Sequence, residues 1–429
     1  MGTSGAGAFQ EGPGADPMSE RIAPDAPLAT GLVRLAASAR WFPGRSRSWR
    51  PGPVDLLPWL RRPSAGSPGL RSAVLHIDYG DGDTERYHIP LSYRDEGTHP
   101  DPIARVDGWE VAEAVDDPGA MTALLECLAE AAPGLIPIGG EPPRGLPPRR
   151  YRGEQSNTSV FFGDALIAKI FRRLKPGRNL DVELHEVLAD SGAVAALRGT
   201  WSHDGVDLGV FLEALPDPRD GFVVACDAAR DGSRFDTEAQ ALGSQLAVIH
   251  ALLGKRLPTG STDGDSLAAV LRRRFDAACT EAPVLERFRT PVTEVFSAVE
   301  GLAIPTQRIH GDCHLGQALL TRGHWRYVDF EGEPLKTLDE RRQPDSPWRD
   351  VAGMLRSFDY ATHLGGGSEA WRTAARAAFL EGFGSIDDPG RLLLRAYEID
   401  KAVYEVVYES RNRPDLVPVP VVCLTRIEH

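Results

Sequence analysis

The stretch Arg308–Glu333 reads RIHGDCHLGQALLTRGHWRYVDFEGE, and its reading decides the fold. Two short strand-like runs, Arg308-Ile309 and Trp325-Arg326-Tyr327-Val328, end in polar residues. Asp312 and Gln317 lie five positions apart after the first run, and Asp329 directly follows the second. Phosphoryl transfer needs a carboxylate that accepts the acceptor hydroxyl's proton. It also needs oxygen ligands that hold magnesium on the phosphates. Asp312 suits the first task, and Gln317 with Asp329 suits the second. His310, Asp312 and His314 alternate along the same segment, so a transition-metal cluster is the rival reading. That rival leaves Gln317 and Asp329 without a role, and His310 reads better as a structural residue that holds the loop by hydrogen bonds.

The rest of the chain must supply a phosphoryl donor site. The hairpin Val160-Phe161-Phe162, Gly163-Asp164, Leu166 to Phe171 places Lys169 among apolar residues. A lysine there pays desolvation unless an anion is near; an edge-strand lysine facing water is the competing reading. Glu183, on a helix starting at Leu180, is the expected partner of Lys169, as in kinase N-lobes. The turn before the hairpin offers backbone amides and the Ser156, Thr158 and Ser159 hydroxyls as a phosphate cover.

The 429-residue chain is long enough for two or three domains. Its net charge of -13 argues against a nucleic-acid partner. The five cysteines are scattered and form no CxxC pair, against a disulfide framework or structural zinc. Residues 1–26, rich in Gly, Ala and Pro, read as a disordered tail. No apolar run approaches transmembrane length, so no membrane association and a cytoplasmic location are expected.

Helical spacing marks Pro27 to Ala39, and Asp81-Gly82-Asp83 marks a hairpin turn between strands. Gly108 to Ala132 reads as mostly helical, broken at Pro118-Gly119. Pro133 to Arg150, with six prolines, reads as a linker. Beyond Thr237 the pattern is mainly helical. On the last long helix Tyr404/Tyr408 and Glu405/Glu409 are i,i+4 pairs on adjacent faces. Rings with carboxylates can hold a sugar; buried rings with solvated glutamates are the competing reading.

The run HGDCHLGQ resembles the catalytic loop of aminoglycoside-phosphotransferase-like kinases. With VDFEGEP, ERRQPDSPWRDVAGMLRSFDYA, DKAVYEVVYESRNRPD, EQSNTSVFF, IAKIFRR, DVELHEVL and RWFPGR, the chain resembles the actinobacterial maltokinases from about Trp41 to its end. Leu416 stands where related sequences tend to place a Trp. The resemblance implies an α+β, bilobal protein-kinase-like fold with an N-terminal cap subdomain and a mainly helical C-terminal lobe. The expected divisions are the tail 1–26, the cap 27–150, a nucleotide-binding N-lobe 151–215 and a C-lobe 216–429.

The resemblance also implies transfer of the ATP γ-phosphate to the anomeric hydroxyl of maltose, with Mg2+, for α-glucan (glycogen) synthesis. Carried over, Asp312 is the catalytic base, and Gln317 and Asp329 are the magnesium ligands. Ser156, Asn157, Thr158, Ser159, Lys169, Glu183 and the hinge Leu212-Glu213-Ala214 form the ATP site. His314, Glu331, Arg349, Lys401, Tyr404, Glu405 and Tyr408 are the sugar-side candidates. Some relatives associate with a trehalose synthase. Glucosamine or an aminoglycoside as acceptor, or a non-catalytic sugar-binding relative, are the alternatives.

Overall fold

Strand alternation and turn glycines build the first part of the chain, in a computed structural model that describes residues 19–153, 156–333 and 336–427. The elements β1 (Glu20–Ile22), α1 (Pro27–Ser38), β2 (Trp49–Leu56), β3 (Gly69–Tyr79), β4 (Thr84–Arg94), β5 (Ala104–Val106), β6 (Trp109–Glu113) and α2 (Pro118–Ala129) make up the region expected to be the cap, called the cap below. The expected hairpin forms, with Leu75 opposite Tyr87 and Gly82 at φ +90° in its turn. Leu32, Phe42, Leu75 and Ile89 are buried in the cap's core. Two expectations are corrected here. Residues 1–18 of the expected tail lie outside the described residues, but Glu20–Ile22 pairs with β2. The helix expected from Gly108 starts only at Pro118, because Val111 pairs with Ala104 and Tyr93 in the sheet instead.

A second antiparallel sheet uses β7 (Leu135–Pro137), β8 (Pro148–Arg150), β9 (Thr158–Phe162), β10 (Leu166–Ile170), β12 (Leu197–His203) and β13 (Val206–Glu213), in the order β7-β12-β13-β10-β9-β8. The expected linker therefore supplies both edges. Pro137 and Pro148 are tolerated there because an edge strand can forgo a ladder donor. The short β11 (Arg173–Leu174) leaves this sheet and pairs with β4 of the cap. The cap and this sheet make one compact unit, residues up to 178 together with 197–214.

Residues 179–196 and 215 onward form the other unit. It holds α3 (Leu180–Val187), β14 (Arg219–Asp220), α4 (Gly221–Asp231), α5 (Asp236–Arg256), β15 (Gly260–Asp263), α6 (Gly264–Glu281), α7 (Arg289–Ser297), β16 (Ala303–Thr306), β17 (Ala318–Thr321), β18 (His324–Tyr327), α8 (Leu338–Arg342), α9 (Pro347–Gly365), α10 (Glu369–Phe383), α11 (Asp388–Asn412) and α12 (Pro418–Thr425). Ile249 of α5, Phe358 of α9, Phe379 of α10 and Val406 of α11 share its core with Leu184 of α3. The architecture is α+β and bilobal, with a mainly helical second lobe. No helix among the described residues is long and apolar enough to cross a membrane.

Candidate active site

Asp350, in the first turn of α9, organises the loop that the sequence singled out. Its Oδ2 accepts the His310 N–H at 2.8 Å and its Oδ1 accepts the Gly311 N–H at 2.9 Å. His250 of α5 places Nε2 2.8 Å from the same Oδ2. Burial works to raise the Asp350 pKa, but the His250 hydrogen bond and charge and the loop amide outweigh it and hold the carboxyl below its ordinary value. Those two loop N–H groups thus bond a side chain instead of a ladder, and the strand expected at Arg308-Ile309 does not form. Gly311 sits at φ +85°, a conformation that suits glycine.

Asp350 is not among the site residues that the sequence singles out, since its partners lie 40 and 100 positions away.

His310 has the structural role expected of it. Its Nε2 lies 3.0 Å from the Val328 carbonyl, and its ring packs 4.6 Å from Phe330. His314 directs Nδ1 at the Gly316 N–H, 3.1 Å away. Both rings are committed to the loop. Among the described residues, no three His, Cys, Asp or Glu side chains are grouped to hold a metal.

Gln317 and Asp329 are brought together by backbone pairing. Val328 N–H donates to the Gln317 carbonyl at 2.9 Å, continuing the β17–β18 ladder, so Asp329 follows the residue opposite Gln317. Asp329 has φ +63°, an uncommon backbone state for a non-glycine residue. An amide and a carboxylate at one ladder end are hard oxygen donors, which fit Mg2+ sharing its shell with phosphates.

Helix α3 braces this segment through three side chains. The Phe330 N–H donates to Asp181 Oδ1 at 3.3 Å, His185 meets the Phe330 ring edge-on at 5.7 Å, and Glu183 lies 3.3 Å from Arg308. Glu183, expected to serve Lys169, has this ion pair within its own unit. Asp181 and His185 were missed; their only sequence signal was an acidic first turn on a short helix.

In the other unit, Lys169 is half-buried on β10, between β9 and β13, opposite Ser159 and Val210. That position removes the edge-strand alternative. The Thr158 hydroxyl is buried and accepts from Arg172 Nε at 2.7 Å, and Asn157 Oδ1 accepts from the Arg172 N–H at 3.4 Å. Thr158 and Asn157 therefore serve the fully buried Arg172, which also reaches Glu113 of the cap at 2.5 Å. Ser156 is exposed and Ser159 buried. Leu212 and Glu213 end β13, and Ala214 N–H donates to Ala165 O at 3.0 Å.

The sugar-side candidates separate into two sets. Arg349 bridges Glu333 at 2.7 Å and Asp345 at 3.1 Å. Glu405 is buried and accepts both Arg356 Nε at 3.0 Å and Nη2 at 2.7 Å. Burial pushes the Glu405 carboxyl above its ordinary value, with Arg356 opposing. Glu409 is likewise buried, receiving Tyr360 and Arg413. These two glutamates turn inward while Tyr404 and Tyr408 are exposed, their rings 6.1 Å apart and 23° from parallel. The structure thus inverts the competing expectation of buried rings and solvated glutamates.

Tyr404 lies within reach of the Asp312 charge. Burial first, then the charges of Glu333, Tyr408, Asp312 and Glu405, raise its phenol above the ordinary value. Lys401 stands one turn earlier. A Cβ added at Gly353 of α9 would lie 3.9 Å from Lys401 Nζ and would collide with the Cys313 carbonyl. Lys401 has no ion pair or hydrogen bond among the described residues. Burial lowers the His314 pKa, with Asp312 opposing and the Lys401 charge lowering it further. Glu331 is half-buried, and its carbonyl accepts from Arg341 at 3.2 Å.

Residues 36–117 match the maltokinase N-terminal cap domain. The chain is 28% identical over 442 aligned residues to a glucosamine kinase of Streptacidiphilus jiangxiensis, covering 92% of this chain and 88% of that one. It is 27% identical to a glucosamine kinase of Mycolicibacterium smegmatis, covering 74% and 90%. A solved structure of glucosamine kinase in complex with glucosamine, ADP and inorganic phosphate superposes with a TM-score of 0.70 at 23% identity, over 92% of this chain and 98% of that one. That structure shares the fold. The cap match and the two relatives support a sugar-kinase-like phosphotransferase, and the solved structure supports the fold.

Proposed function

We propose, from the maltokinase cap match and the resemblance of the catalytic loop to that of maltokinases, that this chain is an ATP- and Mg2+-dependent kinase that phosphorylates maltose at its anomeric hydroxyl. Asp312 takes the proton of that hydroxyl as its oxygen attacks the γ-phosphorus. The bond between phosphorus and the bridging oxygen of ADP breaks, and ADP leaves. Gln317 and Asp329 would hold Mg2+ on the phosphates, where it neutralises developing charge. Lys169 serves the donor phosphates, and the Tyr404/Tyr408 pair serves the sugar's C–H faces. The product, maltose 1-phosphate, feeds α-glucan synthesis in the cytoplasm.

One observation carries the phosphoryl-transfer reading: the ladder that sets Gln317 beside Asp329 continues from the loop that carries Asp312 and is clamped by Asp350. The neutral acceptor rests on charge. Glu333, Glu405 and Glu409 already face Arg349, Arg356 and Arg413, while Lys401 has no ion pair among the described residues. An ammonium sugar gains little from neutralised carboxylates and is opposed by a nearby cation. Glucosamine is the second reading, favoured by the two relatives of that name. ADP release measured with maltose, glucose, glucosamine and kanamycin separates them. Release above background with maltose supports the proposal; release stimulated only by glucosamine replaces it with the second reading.

A further inference from the structure

The cap carries a cavity of about 570 Å³, in the range of about 300–1,000 Å³ that encloses small ligands. Its walls are half-exposed Trp59 and Trp109 with Tyr93, and its polar groups include Arg71, Glu20 and Asp107. The rings are held in place by local chemistry. Asp107 at φ +49° and Gly108 at φ +81° make the two-residue turn between β5 and β6, with Val106 opposite Trp109. A turn with two positive φ values matches strand twist, so Trp109 projects from a fixed hairpin. Trp59 meets Tyr93 at 4.7 Å and 64°, and the Arg71 guanidinium lies 4.7 Å from the Trp59 ring centre.

Arg71 is a buried donor at this cavity. It is 7% exposed, Nε donates to the Leu57 carbonyl at 3.0 Å, and Nη1 lies 3.6 Å from Glu20. Burial pushes the Tyr93 phenol up to about 12, so it remains a neutral hydroxyl there. Donors and acceptors therefore stand among aromatic rings, which is what vicinal hydroxyls above a C–H face require. Of the three arginines on its wall, Arg71 pairs with Glu20, Arg105 pairs with Glu96 and Glu110, and Arg62 lies 6.0 Å over the Trp59 ring. The Glu20 and Asp107 carboxylates on the same wall oppose a second anion, which disfavours a nucleotide or a sugar phosphate.

From this arrangement we infer that the cap cavity is a second carbohydrate site, one that takes a short neutral oligosaccharide against Trp59 and Trp109. It is built entirely from cap residues and does not depend on the phosphoryl-transfer reading. Its role is to bind sugar; it has no reacting group.

Calorimetric titration of the full chain with maltose, maltotriose and maltohexaose, without nucleotide, tests it. The Tyr404→Ala/Tyr408→Ala protein, crippled on α11, is expected to keep a binding event for the longer sugars. Trp109→Ala is expected to weaken that event at least tenfold while its ATP-dependent turnover stays within twofold of the parent. Asp107→Gly retains the turn's positive φ and removes a rim acceptor, so it folds and is expected to bind several-fold more weakly. The inference is overturned if the α11 double variant binds no oligosaccharide, if neither cap variant weakens binding, or if AMP or inorganic phosphate displaces the sugar. Loss of turnover by the parent, with cap binding intact, would instead count against the kinase reading alone.

Discussion

His250 on α5 lies 2.8 Å from the Asp350 carboxylate on α9, and that carboxylate in turn receives the backbone N–H groups of His310 and Gly311. A buried acid with these donors fixes the loop that carries Asp312. Asp350→Asn is expected to cost about 3–5 kcal/mol, because an amide places an N–H where the loop already donates. Chemical denaturation measures this. The pH dependence follows from the lowered pKa. The unfolded carboxyl titrates near about 3.9. The clamp therefore contributes fully above that pH and is lost as pH falls through the folded value. The variant should lack that part of the acid limb.

Asp312→Asn removes the proton acceptor and leaves the donor side unchanged. Turnover is expected to fall about 10²–10⁴-fold, the span of general-base contributions. ATP affinity, read by titration, should remain within a few-fold. Near-normal turnover would move the base elsewhere.

Neighbouring residues on α11 are expected to fail in different ways. Tyr404→Ala should raise the acceptor KM with little change in melting temperature, since the ring is 41% exposed. Glu405→Gln breaks the buried pair with Arg356 and should lower the melting temperature, with catalysis lost through the fold. Steady-state kinetics beside thermal unfolding separates the two.

Lys401→Gln removes the cation next to the catalytic loop. The ratio of kcat/KM for glucosamine to that for maltose is expected to rise about tenfold, or about 1.4 kcal/mol. An unchanged ratio would remove charge as the basis of acceptor choice.

What the sequence revealed was mostly local. Gln317 and Asp329 were legible because twelve residues and one hairpin bring them together, and the Val160–Phe171 hairpin was legible from its turn and apolar runs. Asp350 and His250 were not, because a clamp across 40 and 100 positions depends on how helices pack. Periodicity placed Tyr404 and Glu405 on adjacent faces of a helix but could not say which face is inward; Arg356, 49 positions away, decides that. The strand Trp109–Glu113 was read as helix because five residues are too few for a period to outweigh the helix that follows. Pro148 lent its segment the look of a linker, although an edge strand accepts it.

The most direct test of the account follows phosphorus by NMR in a mixture of the enzyme, ATP, Mg2+ and maltose. The account predicts growth of ADP and of a sugar-phosphate resonance coupled to the anomeric proton. It also predicts that leaving out Mg2+ or maltose abolishes that resonance. No phosphate on maltose, with glucosamine phosphorylated under the same conditions, would contradict the neutral acceptor.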